Sequence, residues 1–228
     1  MLIHPWDAAT SEEEWRTWLA EREPFGVLAI PHRVPGEAPL VLPLHVVAVA
    51  DGFVAHLART NPAWPHLEQA RHVRLAFHGD EAYIPGYWRA ADAAAPDDGV
   101  PTSYYSAVQF VCAVVIRDDP ATKAWVLDQQ LHALQPEGHH APVVIDAPPY
   151  GTLLGAIRAL ELAIIEVEAK FKYDDHKPVQ LRTRVAAELR RRGRGHDLGA
   201  ASQQERRIVT IGAWRARTSG TNSRREGR

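Results

Sequence analysis

The sequence predicts a mainly β protein of the α+β class, an antiparallel barrel with helices at its periphery. Short apolar runs follow one another closely from Phe25 onward, most joined by Gly-, Pro- or Asp-containing turns of the hairpin type. Helical patterns occur only near the start, the middle and the end, so the chain lacks the βαβα alternation of a parallel dinucleotide fold. It also lacks a Gly-x-Gly-x-x-Gly loop, a Walker-type loop and a Gly-x-Ser-x-Gly nucleophile elbow.

Each element has its own signal. Ser11-Glu-Glu-Glu14 is a capping box that opens a helix with Trp15, Trp18 and Leu19 on one stripe, ending near Arg22. Phe25 to Ile30 reads as a strand. Leu40 to Ala50 reads as a longer one, in which Pro43 marks an edge position or a bulge. Asp51-Gly52 turns the chain into a hairpin strand from Phe53 to Leu57. Pro62 to Ala70 gives a short helix or turn, and Val73 to Phe77 a strand. A turn at Gly79-Asp80 and an extended piece from Ala82 to Ile84 follow. Residues 86–100 are small, acidic and aperiodic, which predicts an exposed mobile loop.

Tyr104 to Ile116 is the longest apolar strand, and Asp118-Asp119-Pro120 opens a helix presenting Trp125, Val126, Gln129, Leu131 and His132. Gln135 to Pro149 is a loop. His139 and His140 within it lack the spacing and the neighbouring ligands of a metal site, so no structural metal is expected. Tyr150 to Leu160 reads as a short helix. Ile165 to Lys170 alternates as a strand with one wet face, closed by Lys170-Phe-Lys172. A final helix runs from Pro178 to Arg192, with Leu181, Val185 and Leu189 on one side and Arg182, Arg184 and Arg190-Arg-Arg192 elsewhere.

Composition narrows the function classes. A hydrophobic fraction of 46% over 228 residues supports a globular core, in one domain or a domain with a tail. The net charge of −2 and pI of about 6.6 give no global attraction to nucleic acid or anionic lipid. Cys112, the one cysteine, reads as a small core residue. No run approaches a membrane span, and Met-Leu-Ile-His-Pro-Trp lacks a secretory pattern, so the expectation is a cytoplasmic protein without membrane attachment. Domain organisation is expected as residues 1–192 with an Arg-rich, disordered tail at 193–228. Contact with DNA through the Arg-rich helix at 178–192 is the one nucleic-acid route; a solvated helix face explains the same residues.

The stretch from Gly52 to Leu67 carries the chemistry. His56 lies among Val54, Ala55 and Leu57, and Arg59 follows before the chain breaks at Asn61-Pro62. An imidazole in apolar company, then a cation and a Pro-terminated turn, can form a lip for a flat anionic cofactor. It can equally be a half-buried histidine hydrogen-bonded to backbone.

Four blocks resemble the PaiB-like family, proteins with an FMN-binding split-barrel fold commonly labelled negative transcriptional regulators. Ala55-His-Leu-Ala-Arg-Thr-Asn-Pro-Ala-Trp64 is similar to the family's Gly-His-x-Ala-Arg-x-Asn-Pro-x-Trp, and Phe77-His-Gly-Asp-Glu-Ala-Tyr-Ile84 to its Phe-x-Gly-Pro-x-x-Tyr-Ile. Val100-Pro-Thr-Ser-Tyr-Tyr-Ser-Ala-Val-Gln109 resembles Val-Pro-Thr-Trp-Asn-Tyr-x-Ala-Val-His, departing at Ser103, Tyr104 and Gln109. Lys170-Phe-Lys172 stands in the place of its Lys-Phe-Lys. The resemblance implies FMN as cofactor, with His56, Arg59, Asn61, Thr102, Tyr105 and Lys172 as its contacts, and a homodimer with the flavin at the subunit interface. Arg59 would face the phosphate, because a guanidinium pairs with two phosphate oxygens at once. The His-x-x-Arg-x-Asn-Pro block also resembles piperazate synthases, haem enzymes that form a nitrogen–nitrogen bond. On that alternative His56 is the axial ligand, the only metal contact the chain would make, and Arg59 a propionate partner. Neither resemblance fixes whether the protein is an enzyme, and no catalytic residue is assigned.

Overall fold

The computed structural model describes residues 1–92 and 94–222, with side chains as far as Gly212. Among these residues seven strands form one sheet: β1 (Phe25–Ile30), β2 (Leu40–His45), β3 (Val47–Val49), β4 (Gly52–Ala58), β5 (His72–Ile84), β6 (Thr102–Arg117) and β7 (Ile157–Lys172). Their order is β2-β1-β5-β6-β7-β4-β3, and the pairs β1–β2, β1–β5, β3–β4 and β4–β7 are antiparallel. Among the described residues six α-helices accompany them: α1 (Glu12–Ala20), α2 (Trp64–Leu67), α3 (Gly86–Arg89), α4 (Pro120–Leu134), α5 (Val179–Arg192) and α6 (Asp197–Asn222). The mainly β, antiparallel class read from the sequence is the class observed.

The chain forms two compact units, residues 1–19, 78–108 and 169–228 in one, residues 20–77 and 109–168 in the other. Strands β5, β6 and β7 contribute residues to both.

In the second unit, Phe53, Phe77 and Phe110 meet with ring centroids 4.8–6.2 Å apart, in the offset and edge-on arrangements that aromatic quadrupoles favour. Helix α4 covers β3 and β4 through Val126, which packs with Val47, Val54 and Ala159. Pro43 sits in β2, an edge strand where its missing N–H costs no ladder bond. The run from Leu40 breaks at Val46, whose N–H donates to Pro24 O, and resumes as β3. Gly52 pairs within the hairpin, opposite Val49, at a negative φ. Glycine is needed there for a different reason from the turn expected: a Cβ would lie 2.0 Å from the Leu162 carbonyl oxygen of β7.

In the first unit, Trp15 and Trp18 of α1 are buried, and the Trp18 indole N–H donates to Asp80 Oδ2 at 2.9 Å. Ser11 Oγ accepts from Glu14 N–H as a capping box requires, but Glu14 reaches back to Thr10 N–H and Oγ1 instead of Ser11.

Several expectations are corrected. Gly79-Asp80 does not turn the chain; β5 runs through it with Asp80 at φ 52°. The loop expected at 86–100 is exposed over most of its described residues from 91 onward, but it is anchored at both ends. Trp88 and Ala90 are buried, Arg89 pairs with Asp174, and Gly86 and Gly99 pack backbone to backbone so closely that a Cβ on either would overlap the other's carbonyl oxygen. Tyr150 to Leu160 holds only a 3-10 turn at Leu153–Ala156 before β7, because residues 157–163 pair with β4. In β7 it is the apolar Ile165 that is exposed and Lys170 that is buried. On α4, Trp125 faces solvent, and Lys123, Ala124, Val126 and Gln130 turn inward.

The largest correction concerns the C-terminus. Residues 197–222 form helix α6, part of the first unit, and only 223–228 of the expected tail lie outside the described residues. Gly193 ends α5 in the left-handed conformation, φ 56°, after which α6 packs back against α5. Two ion pairs join this helical hairpin, Arg192 with Asp197 and Arg190 with Glu205.

Candidate functional site

The residues that the sequence singles out fall into two groups, one in each unit. His56, Arg59 and Asn61 lie on β4 and its exit, and Thr102, Tyr105 and Lys172 on β6 and β7.

His56 stands in β4 opposite Ala159 of β7. Its Nδ1 lies 2.5 Å from Oε1 of Gln130, on the inward face of α4. Gln130 Nε2 donates to the His45 carbonyl at 3.4 Å, which turns its oxygen toward the imidazole. Nδ1 is therefore placed to donate to Gln130, which leaves Nε2 as the ring nitrogen not engaged by this contact. The partner is a side chain, not the backbone expected of an ordinary half-buried histidine.

Arg59 follows β4 directly, where its N–H donates to Ala156 O. Nε donates to Gly155 O at 2.8 Å, and the two terminal nitrogens grip the two oxygens of Asp118 at 2.9 and 2.5 Å. Lys123 Nζ is 3.3 Å from the same carboxylate and Arg158 Nε 3.7 Å. Arg158 also pairs with Glu68 and stacks its guanidinium 4.6 Å over Trp64, whose indole N–H is fixed by Ala58 O. Three cations thus meet two carboxylates, so the cluster retains one unbalanced positive charge. Asn61 Oδ1 accepts from Ala63 N–H, closing an Asx turn. That residue shapes the exit of β4, and its amide NH2 is what remains for a ligand.

Hydrogen bonds from Arg59, then from Lys123, hold the Asp118 carboxyl down at about 2. A depressed carboxylate pKa means that the pairing is complete above the ordinary value of 3.8 and is lost only as pH falls through about 2. Carbon-detected NMR titration should find Asp118 ionised throughout the range where exposed aspartates titrate; a midpoint near 3.8 would show that the pair does not persist in solution.

In the other unit, Thr102 Oγ1 accepts from Lys172 Nζ at 3.1 Å. Lys172 and Lys170 place their ammonium groups 5.8 and 5.4 Å from the Tyr105 ring centroid, within cation–π reach. Lys170 is buried and donates to Leu2 O. The structure thus brings Thr102, Tyr105 and Lys172 together. Next to them in sequence, Ser106 Oγ bonds Tyr173 OH at 2.8 Å and Tyr104 OH donates to Asp174. Burial and the neighbouring Asp174 push the Tyr104 hydroxyl's pKa well up, so it remains a donor at any working pH.

Sequence reasoning missed Gln130, Asp118, Lys123 and Arg158. One signal existed for Asp118. Helix α4 needs one capping aspartate, and Asp119 supplies it by accepting from Thr122 N–H at 2.8 Å, which leaves its neighbour over.

Comparison with known proteins gives the family and the fold to which this antiparallel sheet belongs. Residues 1–166 match the family model described as "Putative FMN-binding domain", so the chain belongs to that family, and its cofactor is FMN. Among solved structures it is similar to the flavocytochrome Anf3 from Azotobacter vinelandii (TM-score 0.56, 17% identity, 73% of this chain and 70% of that one). It is also similar to the FAD and Heme binding protein from Mycobacterium smegmatis (TM-score 0.54, 17% identity, 72% and 73%). A conserved hypothetical protein from Mycobacterium tuberculosis aligns over 78% of this chain and 94% of its own (TM-score 0.53, 12% identity). At these identities the likeness is one of fold. No curated protein matches the sequence.

Within the second unit, the Arg59 cluster carries the surplus of cationic donors that an FMN phosphate needs.

Proposed function

We propose that this protein is a flavoprotein of the PaiB type, with Arg59 as the group that takes the FMN phosphate. The observation that carries this reading is the two-pronged Arg59 fork, already aligned on a paired-oxygen acceptor and set among further cations. Thr102, Tyr105 and Lys172, grouped within the first unit, are a separate set of candidates for flavin contacts. Bound FMN supplies electron-transfer chemistry; the chain's own part is to hold, orient and shield it. Titration of the purified protein with FMN, followed by quenching of flavin fluorescence, tests the reading.

The geometry of His56 favours haem as a second reading. Its Nδ1 is tied to Gln130, which is how a ligating histidine is oriented by its outer partner, with Nε2 as the nitrogen that would meet iron. Replacing His56 with alanine separates the two. It should abolish a Soret band if haem is held, and weaken FMN binding only by the worth of about one hydrogen bond, roughly 1 kcal/mol.

A regulatory role through DNA has less support. The α5 arginines have internal acceptors: Asp175 for Arg182, the Trp88 and Ala90 carbonyls for Arg184, Glu205 for Arg190, Glu188 for Arg191 and Asp197 for Arg192.

The protein is further proposed to be a homodimer. Between Val111 and Ile116 of β6, every residue but Cys112 is half-exposed, so apolar side chains on both faces of the strand lack full cover. An interface of standard size or more, on the order of 1,600 Å² in total, would bury them. Light scattering should return a dimer at micromolar concentration; a monomer there would contradict the proposal.

A further inference from the structure

We infer that Asp118 is an internal stand-in for the cofactor's phosphate, occupying the Arg59 fork until FMN arrives and setting how strongly the site prefers FMN to the unphosphorylated flavin. This rests on the reading that Arg59 takes the phosphate.

Four observations carry it. Asp118 presents two oxygens to two guanidinium nitrogens, the same bidentate pattern that a phosphate offers. It has no duty in capping α4, because Asp119 performs that role. It is 43% exposed at the junction of β6 and α4, where a side chain can leave the fork without unpacking a core. Finally, the Lys123 side chain is only 5% exposed, and its ammonium faces this carboxylate at 3.3 Å. A buried ammonium is costly without an anion beside it, so Asp118 can release Arg59 only when another negative group takes over. The unbalanced positive charge of the cluster favours a dianion over a carboxylate in that exchange. A flavin without phosphate brings no such replacement, so it has no means of displacing Asp118.

An Arg59–Asp118 pair that only fastened β4 to α4 would behave differently. Loss of the carboxylate would then loosen the site and weaken both flavins alike.

The test is a pair of titrations on the full chain, with FMN and with riboflavin, for wild type, Asp118→Asn and Arg59→Ala. Asp118→Asn should raise the preference for FMN over riboflavin on the order of tenfold, the scale of one hydrogen bond to a charged group, with riboflavin affinity little changed. An unchanged or reduced preference overturns the inference. Arg59→Ala keeps this failure distinct from failure of the underlying reading. If that variant retains the wild-type preference, Arg59 does not take the phosphate. If it loses the preference while Asp118→Asn fails to raise it, only the role of Asp118 falls. Should Asp118→Asn not fold, the wild-type protein supplies the same answer. Saturating FMN must shift the Asp118 carboxyl NMR signal and raise its titration midpoint, whereas riboflavin must not. Identical responses to the two flavins refute the stand-in role.

Discussion

Replacing Arg207 with alanine is expected to destabilise the first unit by about 3–5 kcal/mol, the cost of removing one partner from a buried ion-pair network. Arg207 is 1% exposed. It donates through Nε to Asp175, which is fully buried, through another nitrogen to Glu14, and further to the Ala8 and Trp6 carbonyls. Its guanidinium also lies 5.2 Å from the Phe171 ring. Alanine would remove the guanidinium from Glu14, which would keep only its Thr10 donors, and from two carbonyls, and would leave Asp175 with Arg182 as its remaining guanidinium. Urea unfolding followed by tryptophan fluorescence should show the midpoint falling, and trypsin should cut α6 at Arg206 earlier than in the wild type. A change below about 1 kcal/mol would mean that the pairing is not maintained in solution.

Arg59→Ala is expected to weaken FMN binding by a factor on the order of ten to a hundred, because a two-pronged charge-assisted contact is lost. Riboflavin affinity should change little. Lysine at this position should recover part of the loss, since it restores the charge but not the planar fork. Equal losses for FMN and riboflavin would instead show that Arg59 holds up the β4 exit through Gly155 and does not address the phosphate.

Much of the fold was legible because its signals were local. Phe25–Ile30, the β3–β4 hairpin, the start of α4 at Pro120 and the end of α5 at Gly193 follow from apolar runs, an Asp cap and a glycine stop, none of which needs distant partners. Expectations failed where tertiary contacts decide. Gly79-Asp80 has turn composition, yet Asp80 holds the Trp18 indole and the strand runs on. Leu153, Leu154 and Ile157 mimic helical spacing, but pairing with β4 draws Ile157 onward into β7. Helix α6 was illegible for another reason. Gln204 and Arg207 on its buried face are polar, and their burial becomes affordable only because Tyr104, Tyr173, Asp175 and Glu14 supply partners. Hydrophobic periodicity cannot register a face buried by hydrogen bonds.

The site was legible in the same uneven way. His56 and Arg59 stood out as polar groups on an apolar strand. Gln130, Asp118, Lys123 and Arg158 lie 59 to 99 residues further along the chain and meet them only through the packing of α4 and β7.

The most direct test of the central claim is the absorption spectrum of the purified protein after incubation with FMN and removal of unbound ligand. The flavin reading predicts the two visible bands of oxidised flavin, and release of FMN on heat denaturation, identified by mass. A protein that retains no flavin, or one that carries a Soret band in its place, would contradict it.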